Sequence, residues 1–239
     1  MDKNDFIEIL KKESKKLNIL LNDKQLDMFY QYMKILIEWN DKINLTAITD
    51  PKEIIIKHFI DSLSALKYID DNNTVVDIGT GAGFPGMPIS IANNTNIILV
   101  DSLNKRINFL NEVINILELS SISAIHARAE EFGKDKKHRE QYDVAISRAV
   151  ARLSVLVEYL LPTVKIGGRC ICMKGPDCMQ EIEEAKKAIE ILGGKIEKID
   201  EFNLPDTDIK RTIIIINKIK NTSDKYPRKA GIPGKDPIK

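Results

Sequence analysis

The stretch that decides the fold of this chain is VVDIGTGAGFPG, residues 75–86, which contains four glycines. Those glycines fit two different registers. Counted from Gly81 they match G-x-G-x-x-G, the turn that holds the pyrophosphate of a dinucleotide. Counted from Asp77 they match D-x-G-x-G-x-G, in which an acid stands just before the glycines. The two registers predict different ligands, and the surrounding sequence has to separate them.

From residue 74 onward, short segments rich in valine and isoleucine alternate with helical segments. Helices fit between the first six of these segments, so the pattern predicts a doubly wound α/β sheet. The connection at 203–210 is too short for a parallel crossover, so the seventh strand is predicted to pair antiparallel. The predicted strands are 74–79, 96–101, 123–127, 142–148, 168–175, 195–202 and 211–219.

Three regions follow from the pattern: an N-terminal helical cap at 1–70, an α/β domain at 71–220 and a tail at 221–239. In the cap, Asn22 or Asp23 can start a long helix, and Asp50-Pro51 predicts the start of another. The buried face of the long helix is predicted from apolar spacings of three and four. That face comprises Leu26, Phe29, Tyr30, Met33, Leu36 and Ile37.

The tail segment 225–239 contains three prolines, two glycines and five basic residues, so we expect an irregular segment that orders only on binding. The net charge of +1 does not by itself indicate a polyanionic partner. Three cysteines without C-x-x-C spacing and three scattered histidines make a metal site unexpected. Without a signal peptide or a long apolar run, the sequence predicts a cytoplasmic protein with no membrane partner.

In an open α/β sheet the ligand lies beyond the carboxyl ends of the strands, beside the first strand. Asp101 ends the second strand and is predicted to hydrogen-bond a ribose in either register. Asp77 would repel a pyrophosphate, whereas S-adenosylmethionine carries an amino group and a sulfonium that suit a carboxylate. Phe84-Pro85 also puts a bulky ring and a residue without N–H where a phosphate needs amide donors. The antiparallel sheet end is typical of class I S-adenosylmethionine-dependent methyltransferases, so the fold resembles theirs.

The segment at the end of the fourth strand, ISRAVARL at 146–153, indicates which methyl acceptors are favoured. It lacks the Asn/Asp-Pro-Pro-aromatic motif of enzymes that methylate exocyclic amines. No cysteine stands in the Pro-Cys setting of enzymes that attack carbon 5 of pyrimidines. The sequence therefore favours an acceptor that already carries an in-plane lone pair. Two alternatives to a methyltransferase are less favoured: a glycine-rich turn that binds no ligand, and a dehydrogenase.

An ordered set of motifs from about residue 40 to the C-terminus resembles the glucose-inhibited division protein B family, the bacterial 16S ribosomal RNA guanine-N7 methyltransferases. The resemblance implies a Rossmann-like class I fold, S-adenosyl-L-methionine as cofactor, and methyl transfer to N7 of a guanine, guanine 527 in conventional rRNA numbering. The implied partner is 16S ribosomal RNA or the small ribosomal subunit. The motifs are NLTAI (44–48), HFIDSL (58–63), DIGTGAGFPGMP (77–88), DSLNKRINFL (101–110), RAEEF (128–132), SRAVA (147–151), MKG (173–175) and YPRKAGIPGKDPI (226–238).

The resemblance also implies roles for individual residues. Guanine N7 bears no proton, so we expect no catalytic acid or base, and we expect Arg148 and Arg128 to position the reactants. The predicted cofactor contacts are Asp77, Gly79, Gly81 and Phe84 on the methionine and ribose side, Asp101 at the ribose hydroxyls, Ala129 and Glu130 at the adenine, and Arg148 at the mouth.

Basic residues near the ligand edge and in the tail are the predicted RNA contacts. They are Lys174, Arg228, Lys229 and Lys235. His58 stands among apolar neighbours, which favours a structural role over contact with RNA or cofactor. Two other functions stay open: a methyltransferase of this fold acting on a small molecule or protein, and a non-catalytic RNA-binding assembly factor that retains a ligand pocket.

Overall fold

The computed structural model describes residues 1–93, 95–148 and 150–239. Asn94 and Ala149 lie outside the described residues, and Ala149 belongs to the SRAVA motif. Within the described ranges the α-helices are α1 (Lys3–Lys16), α2 (Asp23–Ile43), α3 (Pro51–Ile54), α4 (Asp61–Leu63), α5 (Gly86–Asn93), α6 (Asn104–Ile116), α7 (Ala129–Phe132), α8 (Leu153–Leu160), α9 (Met179–Ile191) and α10 (Ile232–Lys235). A π-helical turn, Ile55–Ile60, joins α3 to α4, and 3₁₀ turns cover Leu66–Tyr68 and Leu161–Thr163.

The strands of the described chain form one sheet in the order β3-β2-β1-β4-β5-β7-β6. β1 pairs parallel with β2 and β4, whereas β7 pairs antiparallel with both β5 and β6. The antiparallel last strand predicted from the short 203–210 connection is therefore confirmed. The strands are β1 (Thr74–Ile78), β2 (Asn96–Asp101), β3 (Ile122–His126), β4 (Tyr142–Arg148), β5 (Val164–Lys174), β6 (Gly194–Asn203) and β7 (Lys210–Lys218).

The N-terminal helices begin where the sequence predicts. Asn22 caps α2 in a reciprocal capping box with Gln25, and Asp50 caps α3 with Pro51 at its first position. The predicted buried face of α2 is partly wrong, because Tyr32 is fully buried while Tyr30 is only partly covered. Tyr32 can be buried because its hydroxyl donates a hydrogen bond to the Ala82 carbonyl of the glycine loop.

Two apolar layers cover the two faces of the sheet. One layer joins the N-terminal helices with α5 and α6, and the other joins α7, α8 and α9 with the C-terminal segment. Tyr226 and Ile238 are buried in the second layer, and α10 forms between them. Apart from α10, residues 221–239 form no helix or strand, but these two apolar side chains bury against the domain and hold the segment in place.

Candidate cofactor and substrate site

A cavity of about 690 Å³ opens beyond the carboxyl ends of β1, β2, β3 and β4. It brings together eight of the residues predicted from the sequence. They are Gly79, Gly81, Phe84, Asp101, Arg128, Ala129, Glu130 and Arg148. The predicted residues Asp77, Lys174, Arg228, Lys229 and Lys235 are not among its lining residues. A volume of this size lies in the range of sites for small organic ligands.

The glycine loop forms one wall of this cavity with its bare backbone. Gly79, Gly81 and Gly83 have φ of 73°, 63° and 93°, which is the left-handed region that favours glycine. A Cβ at Gly81 would meet no described atom within 4 Å, so the backbone there faces open space. A Cβ at Gly79 would instead lie 2.7 Å from Cγ2 of Val150. The loop is therefore packed against Val150 at Gly79 and open toward a ligand at Gly81.

Asp77 does not line the cavity, which corrects its prediction as a cofactor contact. Its carboxylate is fully buried, and Oδ2 accepts hydrogen bonds from Thr80 Oγ1 at 2.7 Å and from the Gly86 amide at 2.9 Å. Burial raises the pKa of Asp77 to about 6, although those two hydrogen bonds oppose the shift. Asp77 therefore ties the end of β1 to both ends of the loop and shapes the cavity from behind. The turn needs an acid at this position because the Thr80 hydroxyl and the Gly86 amide both point toward the interior.

Asp101 ends β2 at the cavity and organises the loop beside it. Oδ2 accepts from the Gly81 amide at 3.0 Å and from Arg106 Nη1 at 3.2 Å, and Oδ1 accepts from the Leu103 amide at 2.9 Å. A carboxylate has about four acceptor positions, and hydrogen bonds within the described residues fill three. One position is left for a ligand hydroxyl, which fits the ribose role that the resemblance implies.

Arg148 reaches the cavity from the end of β4 and joins it to the N-terminal helices. Its guanidinium carbon lies 4.9 Å from the centroid of the Phe84 ring, and Nη1 lies 3.2 Å from Asp61 Oδ2. The His58 ring stacks on Phe84 with centroids 4.4 Å apart and planes at 14°. Only 14% of the Arg148 side chain is exposed, so this cation is positioned rigidly at the cavity.

The tautomer of His58 follows from the donors around it. Arg148 can only donate, so His58 Nδ1 accepts from Nη2 at 3.2 Å, and His58 Nε2 must donate to Thr46 Oγ1 at 2.8 Å. Burial, with the nearby Arg148 charge, lowers the pKa of His58 to about 3. His58 is therefore a neutral ring that orients Arg148. Both His58 and Thr46 line the cavity.

Asp61 and Arg211 are site-supporting residues that the sequence analysis missed. Asp61 is buried and bridges two arginines, because Arg211 Nε donates to its Oδ1 at 3.0 Å while Arg148 holds its Oδ2. The π-helical turn Ile55–Ile60 places Asp61 and His58 beside Arg148, and such turns recur at functional sites. The signal available in the sequence was the acid of HFIDSL, a charge inside an apolar segment.

The far end of the cavity is formed by the β3–α7 turn and the C-terminal segment. Arg128, the N-cap residue of α7, is exposed, whereas Glu130 is buried. Glu130 Oε1 accepts the Gly231 amide at 2.8 Å, and Gly231 itself lines the cavity together with Tyr159 of α8. Neither Gly231 nor Tyr159 was predicted, since they enter the site through tertiary packing.

Two predicted RNA contacts are held by partners within the chain. Lys174 Nζ lies 2.6 Å from Glu181 Oε1 and also donates to the Ala151 carbonyl, and its side chain is only 9% exposed. Arg228 forms a fork on the buried carboxylate of Glu158. Lys174 and Arg228 are thus paired with acids of the chain, and their RNA contacts stay predictions. Lys229 and Lys235 are exposed, and their RNA contacts stay predictions.

Neither a metal cluster nor a membrane-spanning helix is found in the part of the chain that the structure describes. In residues 1–93, 95–148 and 150–239, no group of three or more His, Cys, Asp or Glu side chains could hold a metal ion. Over the same part of the chain, no helix combines the length and the apolar character needed to cross a bilayer.

The antiparallel sheet end, the cavity beside β1 and the open glycine backbone define a class I S-adenosylmethionine-dependent methyltransferase. Several solved structures share the fold, and two of them serve as examples. M. jannaschii TYW2 in complex with AdoMet gives a TM-score of 0.52 at 17% identity, covering 66% of this chain and 77% of that chain. Precorrin-6y C5,15-methyltransferase from Geobacter metallireducens gives 0.52 at 14% identity, covering 75% and 95%.

The particular family follows from the sequence comparisons. The family model described as GidB, rRNA small subunit methyltransferase G, matches residues 25–213. The protein called ribosomal RNA small subunit methyltransferase G is 56% identical in Acetivibrio thermocellus, covering 91% of this chain and 90% of the relative. The protein of the same name from Desulforamulus reducens is 53% identical, covering 98% and 99%. The chain belongs to the rRNA small subunit methyltransferase G family, which confirms the resemblance found in its motifs.

Proposed function

We propose that this protein transfers the methyl group of S-adenosylmethionine to N7 of a guanine in 16S ribosomal RNA, in the cytoplasm. The observation that carries the proposal is the family match over residues 25–213, which includes most of the cavity lining. We take the target to be guanine 527 in conventional rRNA numbering, because the motif resemblance implies it, and the small ribosomal subunit to be the partner.

The residues of the cavity suit a transfer that needs no general base. Bound S-adenosylmethionine supplies a methyl group activated by a sulfonium, and guanine N7 offers a lone pair without a proton to remove. The low pKa of His58, about 3, makes its ring a weak base, and the Asp77 carboxylate is sealed behind the loop. Positioning of the methyl group and guanine N7 is then the main contribution of the protein to catalysis, and it can supply a large part of the rate enhancement.

The proposed division of labour assigns the cofactor to the glycine-loop side. Gly81 presents open backbone, Asp101 keeps one acceptor position, and Phe84 with Arg148 forms the edge where base and methyl group would meet. Arg128 is exposed at the rim of the cavity and is proposed to contact the RNA backbone or the target base.

The test uses small ribosomal subunits and free 16S rRNA from a bacterial strain that lacks the corresponding methyltransferase. Each is incubated with the protein and S-adenosylmethionine, and N7-methylguanosine is mapped by borohydride reduction and aniline cleavage. We expect one new cleavage site, at guanine 527. The matched control is Gly81→Leu, whose side chain would enter the open space of the cavity without meeting described atoms within 4 Å of its Cβ.

Three outcomes would contradict the proposal in different ways. Methylation of another base would refute the N7-guanine assignment. Binding of both S-adenosylhomocysteine and RNA without methyl transfer would favour a non-catalytic assembly factor. Equal methylation by Gly81→Leu would place the cofactor elsewhere.

A further inference from the structure

The last segment of the chain, residues 226–238, crosses α8 and reaches the rim of the cavity; we call it the C-terminal strap. Tyr226 and Ile238 anchor it in the apolar layer around α8 and α9. Between these anchors, Gly231 lines the cavity. The strap therefore runs from the core to the ligand site, although its composition of prolines, glycines and lysines suggested a free RNA-binding tail.

Arg228, two residues after the Tyr226 anchor, fastens the strap to α8. Glu158 Oε1 accepts the Arg228 backbone amide at 2.7 Å and Nε at 3.0 Å, while Glu158 Oε2 accepts Nη2 at 2.7 Å. Glu158 is fully buried, and these donors supply the hydrogen bonds that its carboxylate would otherwise lack. A guanidinium fork provides both charge and direction, which a flexible ammonium does not.

A second attachment lies at the rim, three residues farther along the chain. Gly231 has a φ of 81°, which only glycine adopts readily, and its amide donates to Glu130 Oε1 at 2.8 Å. Glu130 lines the end of the cavity that the motif resemblance assigns to adenine. Tyr159, next to Glu158 on α8, lines the same region. The Arg228 fork thus controls the position of a segment that touches the site directly.

We propose that the C-terminal strap is a wall of the cofactor site and that Arg228 is a positioning residue for cofactor affinity, not an RNA phosphate contact. Arg228 acts through Gly231 and Glu130, whose hydrogen bond fixes the adenine end of the cavity. The inference rests on the proposed function only in taking S-adenosylmethionine as the ligand of this cavity.

The test measures S-adenosylhomocysteine binding by calorimetry on the full chain. We expect Arg228→Ala to bind about tenfold more weakly and Arg228→Lys to recover part of the affinity. Arg152→Ala is the matched control, because Arg152 pairs with Glu184 beside α8 but lies outside the cavity lining, and its affinity should be unchanged. Arg228→Ala should leave RNA affinity and its salt dependence unaltered, whereas loss of a phosphate contact would lower both.

A second measurement separates site wall from distant support. In the wild type, S-adenosylhomocysteine should slow amide hydrogen exchange across residues 226–232, and in Arg228→Ala that protection should be lost. If Arg228→Ala fails to fold because Glu158 is left buried and unpaired, the double variant Arg228→Ala/Glu158→Gln removes the stranded charge and is measured instead.

Each result decides the inference. Affinity within twofold of the wild type in a folded Arg228 variant, or no ligand protection of the strap, would overturn it. The calorimetry with S-adenosylhomocysteine contains no RNA. Failure to methylate rRNA would therefore refute the proposed function without changing the measured cofactor affinities. Unchanged S-adenosylhomocysteine affinity in a folded Arg228 variant, together with normal methylation of rRNA, would refute only the proposed role of the strap.

Discussion

Two walls of the same cavity are built in different ways. The glycine-loop wall, residues 77–86 with Asp101, is joined by contacts over short distances in sequence: Asp77 meets Gly86 nine residues later, and Gly81 meets Asp101 twenty residues later. A second wall, which we call the composite wall, is made of Thr46, His58, Arg148 and Gly231. There, Arg148 contacts His58 across 90 residues, and Glu130 holds Gly231 across 101.

Backbone conformation determines the glycine-loop wall, whereas side-chain orientation determines the composite wall. The glycine-loop wall depends on positive φ values and close packing, so errors there should damage folding. The composite wall depends on a network of hydrogen bonds between side chains, so errors there should change electrostatics and ligand handling. Substitutions in each wall can break or sharpen this contrast.

The largest effect is expected from Gly83→Ala in the glycine-loop wall. Its φ is 93°, and a Cβ would lie 2.7 Å from the Tyr32 hydroxyl and 3.0 Å from Leu110 Cδ2. Backbone strain and overpacking together should lower the free energy of unfolding by about 2 to 5 kcal/mol. Gly167→Ala is the control, because its φ is 86° but no described atom lies within 4 Å of the added Cβ. This substitution should lower the free energy of unfolding by only about 1 kcal/mol. Equal losses in urea denaturation would show that packing around the loop is loose.

The composite wall should make the protein sensitive to acid through His58. Its folded-state pKa of about 3 lies below the unfolded value of 6.5, so the stabilisation is present above pH 6.5 and is lost as pH falls toward 3. Between pH 7 and pH 5, the wild type should lose about 2 kcal/mol relative to His58→Asn. Urea denaturation at the two pH values measures this difference. Parallel pH dependence in the two proteins would mean that His58 is not held neutral.

Asp77 in the glycine-loop wall should give a smaller effect of opposite sign. Its folded-state pKa of about 6 lies above the unfolded value of 3.8, so its contribution to stability is full below pH 3.8 and is lost as pH rises through 6. Relative to Asp77→Asn, the wild type should lose about 1 kcal/mol between pH 5 and pH 7. The same denaturation series tests it, and a slope of the same sign as that of His58 would contradict the burial argument.

The smallest effect is expected on RNA binding by the exposed lysines of the strap. Lys229→Gln and Lys235→Gln should each lower the slope of log affinity against log salt by about 1 if each lysine contacts a phosphate. Lys11→Gln and Lys187→Gln are matched controls on exposed faces of α1 and α9. Filter binding of 16S rRNA over a salt series measures the slopes. Slopes equal to those of the controls would remove the strap from the RNA interface and leave it only its contacts with the cavity.

Much of the fold could be predicted because its signals are local. Runs of valine and isoleucine marked the strands, and β2 and β4 begin and end at the predicted residues. The missed features depend on distant partners. Tyr32 is buried in place of Tyr30 because a carbonyl of the glycine loop accepts its hydroxyl. Arg228 faces inward because a carboxylate 70 residues away is buried beneath it.

The sequence by itself determined the class of fold, the place of the cavity beside β1, and the glycine and acid that begin its wall, since turn chemistry and hydrophobic period act over a few residues. Only the tertiary structure decided which charges face a ligand. Asp77, Lys174 and Arg228 look available in the sequence, but Lys174 and Arg228 pair with acids of the chain, and Asp77 is buried behind the loop with its Oδ2 held by Thr80 and Gly86. The physical reason is that a buried charge needs a partner, and the partner comes from whichever element packs against it.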